Sequence, residues 1–273
     1  RKAADQGNAV AEFLLGFMYD NGKGVAQDYS QAADWYRKAA VQGHATAQFN
    51  LGNMYFLGKV TQDYSQAADW YRKAADQGNA VAQFLLGFMY DNGKGVPQDY
   101  SQAADWYRKA ADQGNADAQY ALGLMYDNGK GVAQDYSQAA DWYRKAAVQG
   151  DADAQFNLGN MYRNGQGVPQ NHSQAAVLYR KAGAQGQSDS LNNLGVGYEF
   201  GHFGVQNLVL AHIFYNLAAV NGDAKYKTNR DEISKKLTPI QLSEAQELAS
   251  QWVKGQPLPT ITKTYPRSSK KKK

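Results

Sequence analysis

A segment of 35 or 36 residues recurs six times along this chain of 273 residues. The string DYSQAADWYRKAA occurs four times without a change, beginning at Asp28, Asp63, Asp99 and Asp135. A fixed period of this length indicates a solenoid, in which each unit buries its apolar face only against its neighbours. The repeat therefore predicts one elongated domain, where length alone would suggest one or two globular domains.

Residues 8–43 show how one repeat is built. Asn8 is suited to cap a first helix, whose apolar positions recur at helical spacing until Gly22 ends it. Asp28 is suited to cap a second helix, with Gln31 placed to complete a capping box. We call these two antiparallel helices helix A and helix B. Stacked hairpins of this kind make an all-α solenoid.

A glycine stands in the middle of every helix A, although glycine there costs about 1 kcal/mol relative to alanine. We expect it to permit close approach of helix B, where Trp35 or Tyr36 would otherwise collide with a side chain. The six glycines are Gly16, Gly52, Gly87, Gly123, Gly159 and Gly195.

The repeats share a specific set of motifs. Helix A carries Ala-x-Ala-Gln-x-x-Leu-Gly-x-Met-Tyr, the loop Gly-x-Gly-Val, and helix B Ala-x-x-Trp-Tyr-x-Lys-Ala-Ala-x-Gln-Gly. This set resembles the Sel-one-like repeat (SLR) family over residues 1–222. Tetratricopeptide repeats share part of the pattern, but the period and Glu12 or Gln48 in place of their tryptophan fit the SLR family better. The resemblance implies a right-handed superhelical, tetratricopeptide-like α-solenoid of the bacterial secreted or periplasmic type.

The chain divides into a solenoid, a capping region and a tail. A partial helix at 1–7 precedes repeats at 8–43, 44–78, 79–114, 115–150, 151–186 and 187–222. Residues 223–254 resemble the C-terminal segment of bacterial members, and Thr238 as N-cap, Pro239 at N1 and Gln241 at N3 support a last capping helix. Residues 255–273 are predicted to be a disordered basic tail.

Charge is concentrated in that tail. The chain has a net charge of +4, but the six basic residues of the tail leave the rest slightly negative. The folded part therefore lacks the basic surface of a nucleic-acid binder, and we expect no specific nucleic-acid partner. For the tail itself, contact with a membrane or nucleic acid and a solvated, solubilising role both stay open.

The remaining composition sets further limits. The chain has no cysteine, which excludes a disulfide framework, a cysteine-ligated zinc site and a thiol nucleophile. No apolar run reaches the ~20 residues of a membrane span. The opening residues RKAADQG match the end of a helix B, so we expect the natural protein to extend upstream, where any export signal would lie.

The repeats differ mainly on one face of helix A. With Leu15 at 0° and about 100° per residue, the positions of Val10, Phe13, Phe17 and Asp20 fall near 180°. We expect this face to line a concave groove, as in related helix-pair solenoids. An alternative for the Phe13 series is packing between adjacent A helices, whereas the Phe17 and Asp20 series are expected to be exposed. The candidate binding residues are Phe13, Phe17, Phe49, Asn53, Phe56, Phe84, Phe88, Asp91, Tyr120, Leu124, Asp127, Phe156, Asn160 and Arg163.

Three patterns that suggest chemistry are interpreted as structural. Gly22-Lys23-Gly24 follows a helix and recurs, which indicates a turn rather than a phosphate-binding loop. The four histidines show no metal-ligand spacing, and His202 near Glu199 is the one pair that merits inspection. Asp34 and Lys38, with their equivalents, are predicted to form i,i+4 ion pairs. We predict no catalytic residues, no metal and no cofactor.

These observations predict a non-enzymatic scaffold or adaptor that binds a protein or peptide partner on the concave face. The family resemblance further implies an exported bacterial protein, in some members involved in contact with host cells, and we expect a monomer. Two alternatives stay open: a surface-exposed structural or antigenic repeat array, and a hydrolase related to the cell wall.

Overall fold

The computed structural model describes residues 1–221 and 224–261. Within those residues the chain forms α-helices, one short 3-10 helix at Ala219–Asn221 and no β-strand. Two compact units divide the chain, residues 1–146 and residues 147–273. Successive helices pack as hairpins, which confirms the predicted all-α solenoid.

The first unit contains a terminal helical turn followed by alternating A and B helices, with the last helix ending just inside the second unit. Its helices are α1 Lys2–Asp5, α2 Ala9–Asn21, α3 Tyr29–Val41, α4 Ala45–Phe56, α5 Tyr64–Asp76, α6 Ala80–Asn92, α7 Tyr100–Asp112, α8 Ala116–Asn128 and α9 Tyr136–Val148.

The second unit continues the alternation and then adds two further helices. Its helices are α10 Ala152–Asn164, α11 His172–Ala184, α12 Ser188–Phe200, α13 Leu208–Ala218, α14 Ala224–Ser234 and α15 Pro239–Gln251.

Side-chain caps set the helix boundaries much as the sequence predicts. Asn8 Oδ1 accepts from the Ala11 amide at 2.9 Å, and Gly22 ends α2 with a left-handed φ of 66°. Asp28 accepts from the Gln31 amide at 2.9 Å, but the reciprocal bond is absent, so the predicted capping box at α3 is only half formed. The backbone amide of Asp28 donates instead to the Tyr19 carbonyl at 3.0 Å, so it is not free for the Gln31 side chain.

The contact between glycine and tyrosine sets the separation of helices A and B. A β-carbon added at Gly16 would lie 2.7 Å from Cδ1 of Tyr36, closer than side-chain atoms approach. The facing residue is therefore Tyr36, not Trp35. The same contact recurs in every repeat, and the six tyrosine side chains are buried: Tyr36, Tyr71, Tyr107, Tyr143, Tyr179 and Tyr215.

A buried glutamine from helix A links neighbouring repeats. Gln48 Nε2 donates to the Ala40 carbonyl at 3.0 Å, at the end of the preceding helix B. Its Oε1 accepts from Gln77 Nε2 at 2.7 Å, at the end of its own helix B. Gln83 makes the corresponding two bonds at the next junction. Because both groups of the amide are bonded, this side chain can be buried without loss and ties three helices together.

The last helix of the second unit begins at the predicted cap, and described residues beyond this helix pack onto the core. Thr238 and Gln241 form the predicted capping box at the start of α15. Leu258 is buried in the same core as Tyr226 of α14, and Gly255 N donates to the Ala184 carbonyl at 2.8 Å. The prediction of a disordered tail is therefore wrong for residues 255–261, because apolar Leu258 gains by packing. Its remaining part, residues 262–273, lies outside the described residues.

One histidine is buried in the core of the second unit. His212 of α13 stands where repeat 1 has Ala33, and it is 1% exposed. Its Nδ1 lacks a hydrogen-bond partner within the described part of the chain, as does the buried Ser190 Oγ of α12. Burial lowers the pKa of His212 below its ordinary value, Arg230 lowers it further, and Asp231 opposes them.

Stability of the first unit should rise when Glu12 is replaced by glutamine. Glu12 is buried at the position of Gln48 and accepts from Gln42 Nε2 at 2.7 Å, but a carboxylate cannot donate to the carbonyl of Ala4, the equivalent of Ala40. We expect Glu12→Gln to raise the free energy of unfolding by about 1 kcal/mol, measured by urea titration. The reverse change, Gln83→Glu, should lower it. A decrease with Glu12→Gln would contradict the role assigned to this position.

The stability of the second unit should depend on the protonation of His212. Since the folded state disfavours the charged ring, the unfolded state binds more protons between the lowered pKa and the ordinary value of 6.5. Stability is therefore fully present above that value and falls as the pH drops through the window below it. His212→Ala, which restores the residue of repeat 1, should flatten this part of the melting-temperature profile between about pH 7 and 5. An unchanged profile would contradict the assignment.

Candidate functional site

The candidate site of the first unit is the outward side of α2, α4, α6 and α8. We call it the variable face and define it by Phe13, Phe17, Phe49, Asn53, Phe56, Phe84, Phe88, Asp91, Tyr120, Leu124 and Asp127. Phe17 is 37% exposed and the others are half-buried. The predicted exposure holds for Phe17, but it is wrong in degree for the other members of the Phe17 and Asp20 series. Most of these side chains contact tyrosines of helix B or lysines of the loops.

Aromatic rings of the Phe13 series pack on the tyrosine of helix B in their own repeat. The centroids of Phe13 and Tyr36 are 6.0 Å apart, and those of Phe84 and Tyr107 are 5.7 Å apart. Phe13 also stacks on His44, the cap of the next helix A, at 4.7 Å. These rings therefore form part of the packing while one edge remains open, which combines both interpretations of the series.

The tyrosine hydroxyls reach the variable face from beneath. Tyr71 donates to Asn53 Oδ1 at 2.7 Å, and Tyr143 donates to Asp127 at 3.2 Å. Burial raises the pKa of Tyr107, and the charge of Asp91 raises it further, so the hydroxyl stays protonated and donates. The polar residues of the face are consequently held in fixed orientations by the core.

At two junctions of the first unit, a loop lysine reaches the helix A of the preceding repeat. Lys59 Nζ lies 2.7 Å from Asp20 and 5.1 Å from the ring centroid of Tyr29. Lys130 Nζ lies 3.0 Å from Asp91 and 4.1 Å from the ring centroid of Tyr100. The hydrogen bond to Asp91 raises the pKa of Lys130. The sequence analysis did not predict these ion pairs. In both pairs the lysine follows the aspartate by 39 residues, and this repeated spacing could have indicated them.

The junction between repeats 2 and 3 departs from this pattern. Lys94 occupies the equivalent loop position, but the acidic position of the preceding repeat holds Phe56. Lys94 Nζ lies 5.9 Å from the ring centroid of Phe56, 5.7 Å from that of Tyr64 and 5.2 Å from that of Phe88. Within the described residues no carboxylate pairs with Lys94.

Helix B uses its charged residues differently from the prediction. Asp34 pairs with Arg37 at 3.0 Å and not with Lys38. Lys38 Nζ instead lies 3.8 Å from the ring centroid of Trp35, and Arg37 also donates to the Tyr55 hydroxyl of the next repeat at 2.7 Å. The predicted i,i+4 pair is wrong because the aromatic face, one turn away, offers the ammonium group a closer partner.

Three candidate residues lie in the second unit. Phe156 packs on Tyr179 with ring centroids 6.2 Å apart, and Asn160 accepts from the Tyr179 hydroxyl at 2.7 Å. Burial raises the pKa of Tyr179 to about 12, against an opposing effect of Arg163. The arrangement repeats that of the first unit, with Arg163 in the acidic position.

The positions inspected for chemistry do not assemble into a reactive site. His202 stacks on His172 with centroids 5.8 Å apart, while Glu199 accepts from the Tyr215 hydroxyl at 2.8 Å and pairs with Lys236. Among residues 1–221 and 224–261, no three acidic or histidine side chains are grouped as metal ligands. In the same ranges, no helix combines the length and apolarity needed to cross a membrane.

The stability of this face can be tested at Phe88, which is half-buried and packs against the core. Phe88→Asn introduces the residue that repeats 2 and 5 carry as Asn53 and Asn160. We expect a loss of about 1 kcal/mol in the free energy of unfolding, because only the buried part of the Phe88 ring contributes apolar contacts that the substitution removes. Trp106→Ala, which empties a buried site, should cost about 3 kcal/mol or more. Equal losses in urea titrations would place Phe88 fully in the core.

The Sel1 repeat family matches six successive segments of the chain. They are residues 9–44, 45–79, 80–115, 116–151, 152–187 and 188–223, each beginning one residue after the boundary predicted from the caps. No curated protein matches the chain.

Two solved structures are similar along most of the chain. A protective antigen present in uropathogenic Escherichia coli strains, displaying an SLR fold, is 36% identical with a TM-score of 0.62 over 92% of this chain. The chain spans 62% of the length of that protein. A Sel1 repeat protein from Oxalobacter formigenes is 36% identical with a TM-score of 0.67, covering 78% of this chain and 86% of the other. With six matching repeats and these two relatives, the chain belongs to the Sel1 repeat (SLR) family of α-solenoid proteins.

Proposed function

We propose that this chain is a non-enzymatic scaffold that binds an extended protein segment along the variable face, and that it does so as a monomer. Sel1 repeats are generally protein–protein interaction scaffolds, which supports the class of function. The partner and its site go beyond that general role and rest on the geometry of the first unit.

The observation that carries the proposal is the contrast between helices A and B. The B helices α5 and α7 have the same sequence, YSQAADWYRKAAD. The A helices beside them differ at the variable face, where Asn53 and Phe56 of α4 become Phe88 and Asp91 of α6. Positions that determine the shape are constant, whereas the half-buried aromatic and polar face changes from repeat to repeat. Such variation suits recognition of an irregular partner by side chains on a rigid support.

Affinity capture with matched variants tests the proposal. The immobilised chain is compared with Phe88→Asn/Leu124→Asn, which carries the residue of repeat 2 at both positions. A control, Val41→Asp, alters an exposed residue of helix B to the acid found at Asp76 and Asp112. We expect a protein from bacterial envelope or host-cell extracts to be retained by the parent and the control and lost by the double variant. Retention by all three would exclude the variable face, and no retention would contradict the scaffold function of this chain.

A second candidate function is an antigenic repeat array on an exported protein. The similarity to a protective antigen of Escherichia coli favours it, because that description concerns immune recognition of an SLR protein. Deletion of residues 79–114, one whole repeat, separates the two functions. An array should keep its folding and its recognition by antibodies against other repeats, while a shaped binding face should lose its partner. Protease accessibility on intact cells that express the protein would test export, and light scattering would test the monomer.

A further inference from the structure

Lys94 lies beside the variable face and has no carboxylate partner among the described residues. At the junctions on either side, a loop lysine meets the acid of the preceding repeat: Lys59 meets Asp20, and Lys130 meets Asp91. At the junction between them Phe56 takes the place of the acid, and Lys94 has no ion-pair partner among the described residues. Lys23 also has no ion pair there, but it is exposed and contacts a single ring, that of Phe17.

The surroundings hold the Lys94 ammonium group in a defined place. Three ring centroids, of Phe56, Tyr64 and Phe88, lie between 5.2 and 5.9 Å from its Nζ. Phe56 contacts Tyr64 at 5.4 Å and Phe88 at 6.4 Å between centroids, both edge to face, so the rings form one cluster. Aromatic faces attract the cation and displace part of its water, but they leave its charge uncompensated.

These features predict which chemical groups a ligand of this site would carry. A carboxylate would restore the ion pair present at the neighbouring junctions, and an apolar group beside it would cover the half-buried rings of Phe56 and Phe88. Charge complementarity therefore selects an acidic group, and the aromatic cluster selects an apolar neighbour. A free inorganic anion would supply the first and not the second.

We propose that Lys94, Phe56, Phe88 and Tyr64 form an anchor for an acidic side chain of a bound peptide, next to an apolar residue of the same peptide. This anchor rests on the proposed function and specifies the chemistry of the partner. The anchor also gives a role to Phe56, which stands where the neighbouring repeats have an acid. Without that acid Lys94 has no internal ion pair, so its ammonium group is available to a ligand.

A pair of isosteric peptides tests the anchor directly. The probes are acetyl-Gly-Ser-Phe-Glu-Leu-Ser-Gly-amide and the same peptide with glutamine in place of glutamate, so neither carries a terminal charge. Titrated into the ¹⁵N-labelled chain up to about 5 mM, the glutamate probe should shift the amides of Gly93, Lys94 and Gly95. Its Kd should be about three- to tenfold lower than that of the glutamine probe, and the difference should shrink at about 0.5 M salt. Equal affinities, or no shift at these amides, would overturn the proposal.

Variants identify the group responsible. Lys94→Gln should abolish the preference for glutamate, whereas Lys59→Gln, which removes an already paired lysine, should leave it unchanged. Phe56→Asp should also abolish it, because it gives Lys94 the internal partner that Lys59 has in Asp20. The Lys94→Gln comparison decides the matter even where Phe56→Asp fails to fold. A preference that survives Lys94→Gln would overturn the anchor.

A transplanted site provides the converse test. Asp91→Phe removes the partner of Lys130 and recreates the arrangement of Phe56 one repeat further on, with Leu124 at the position of Phe88. The glutamate probe should then also shift the amides of Gly129 and Lys130. If these amides do not shift, the absence of an acid is not the reason that Lys94 binds the probe.

The experiments distinguish a failure of the anchor from a failure of the proposed scaffold function. If the captured partner is lost by Phe88→Asn/Leu124→Asn but kept by Lys94→Gln, the scaffold function stands and the acidic anchor is overturned. If inorganic phosphate, titrated alone, shifts the same amides as strongly as the glutamate probe, the site is a general anion site and the peptide anchor is likewise overturned.

Discussion

The close contact between the helix A glycine and the helix B tyrosine is the constraint on which the rest of the structure depends. A β-carbon at Gly87 would lie 2.7 Å from Cδ1 of Tyr107, so only glycine lets the two helices approach to this distance. At that separation the tyrosine ring lies wholly inside the hairpin, and its hydroxyl emerges beside the polar residues of the variable face. The same contact therefore sets the thickness of each repeat and orients the groups available for binding.

Neighbouring repeats are joined by polar groups as well as by apolar packing. Gln48, Gln83 and Gln155 are buried, and each bonds to a B helix on both sides. Bonds of this kind require a fixed register, because a shift of either helix would leave a buried amide unsatisfied. A rigid register in turn gives the variable face a regular spacing, on which side chains from successive repeats can act together.

On that regular support, the lysines and acids of successive repeats form a second series of contacts. Lys59 and Lys130 neutralise Asp20 and Asp91, so the charges of these two acids are already compensated within the protein. An interruption at Phe56 therefore changes the character of the face locally, from a closed ion pair to a lysine over aromatic rings. Because the neighbouring repeats carry an acid at this position, the single difference at Phe56 can be linked to the changed surroundings of the loop lysine.

The sequence by itself determined the repeat, the hairpin, the caps and the family resemblance, because these depend on local spacing and on helix-end chemistry. It also identified the face of helix A that varies. Only the tertiary structure decided which side chains of different helices and loops contact each other. It chose Tyr36 over Trp35 as the partner of Gly16, paired Asp34 with Arg37, packed Leu258 onto the second unit and brought loop lysines to the acids of preceding repeats. Those contacts join residues from different helices, and periodicity within one helix carries no information about which neighbouring side chain lies at the shortest distance.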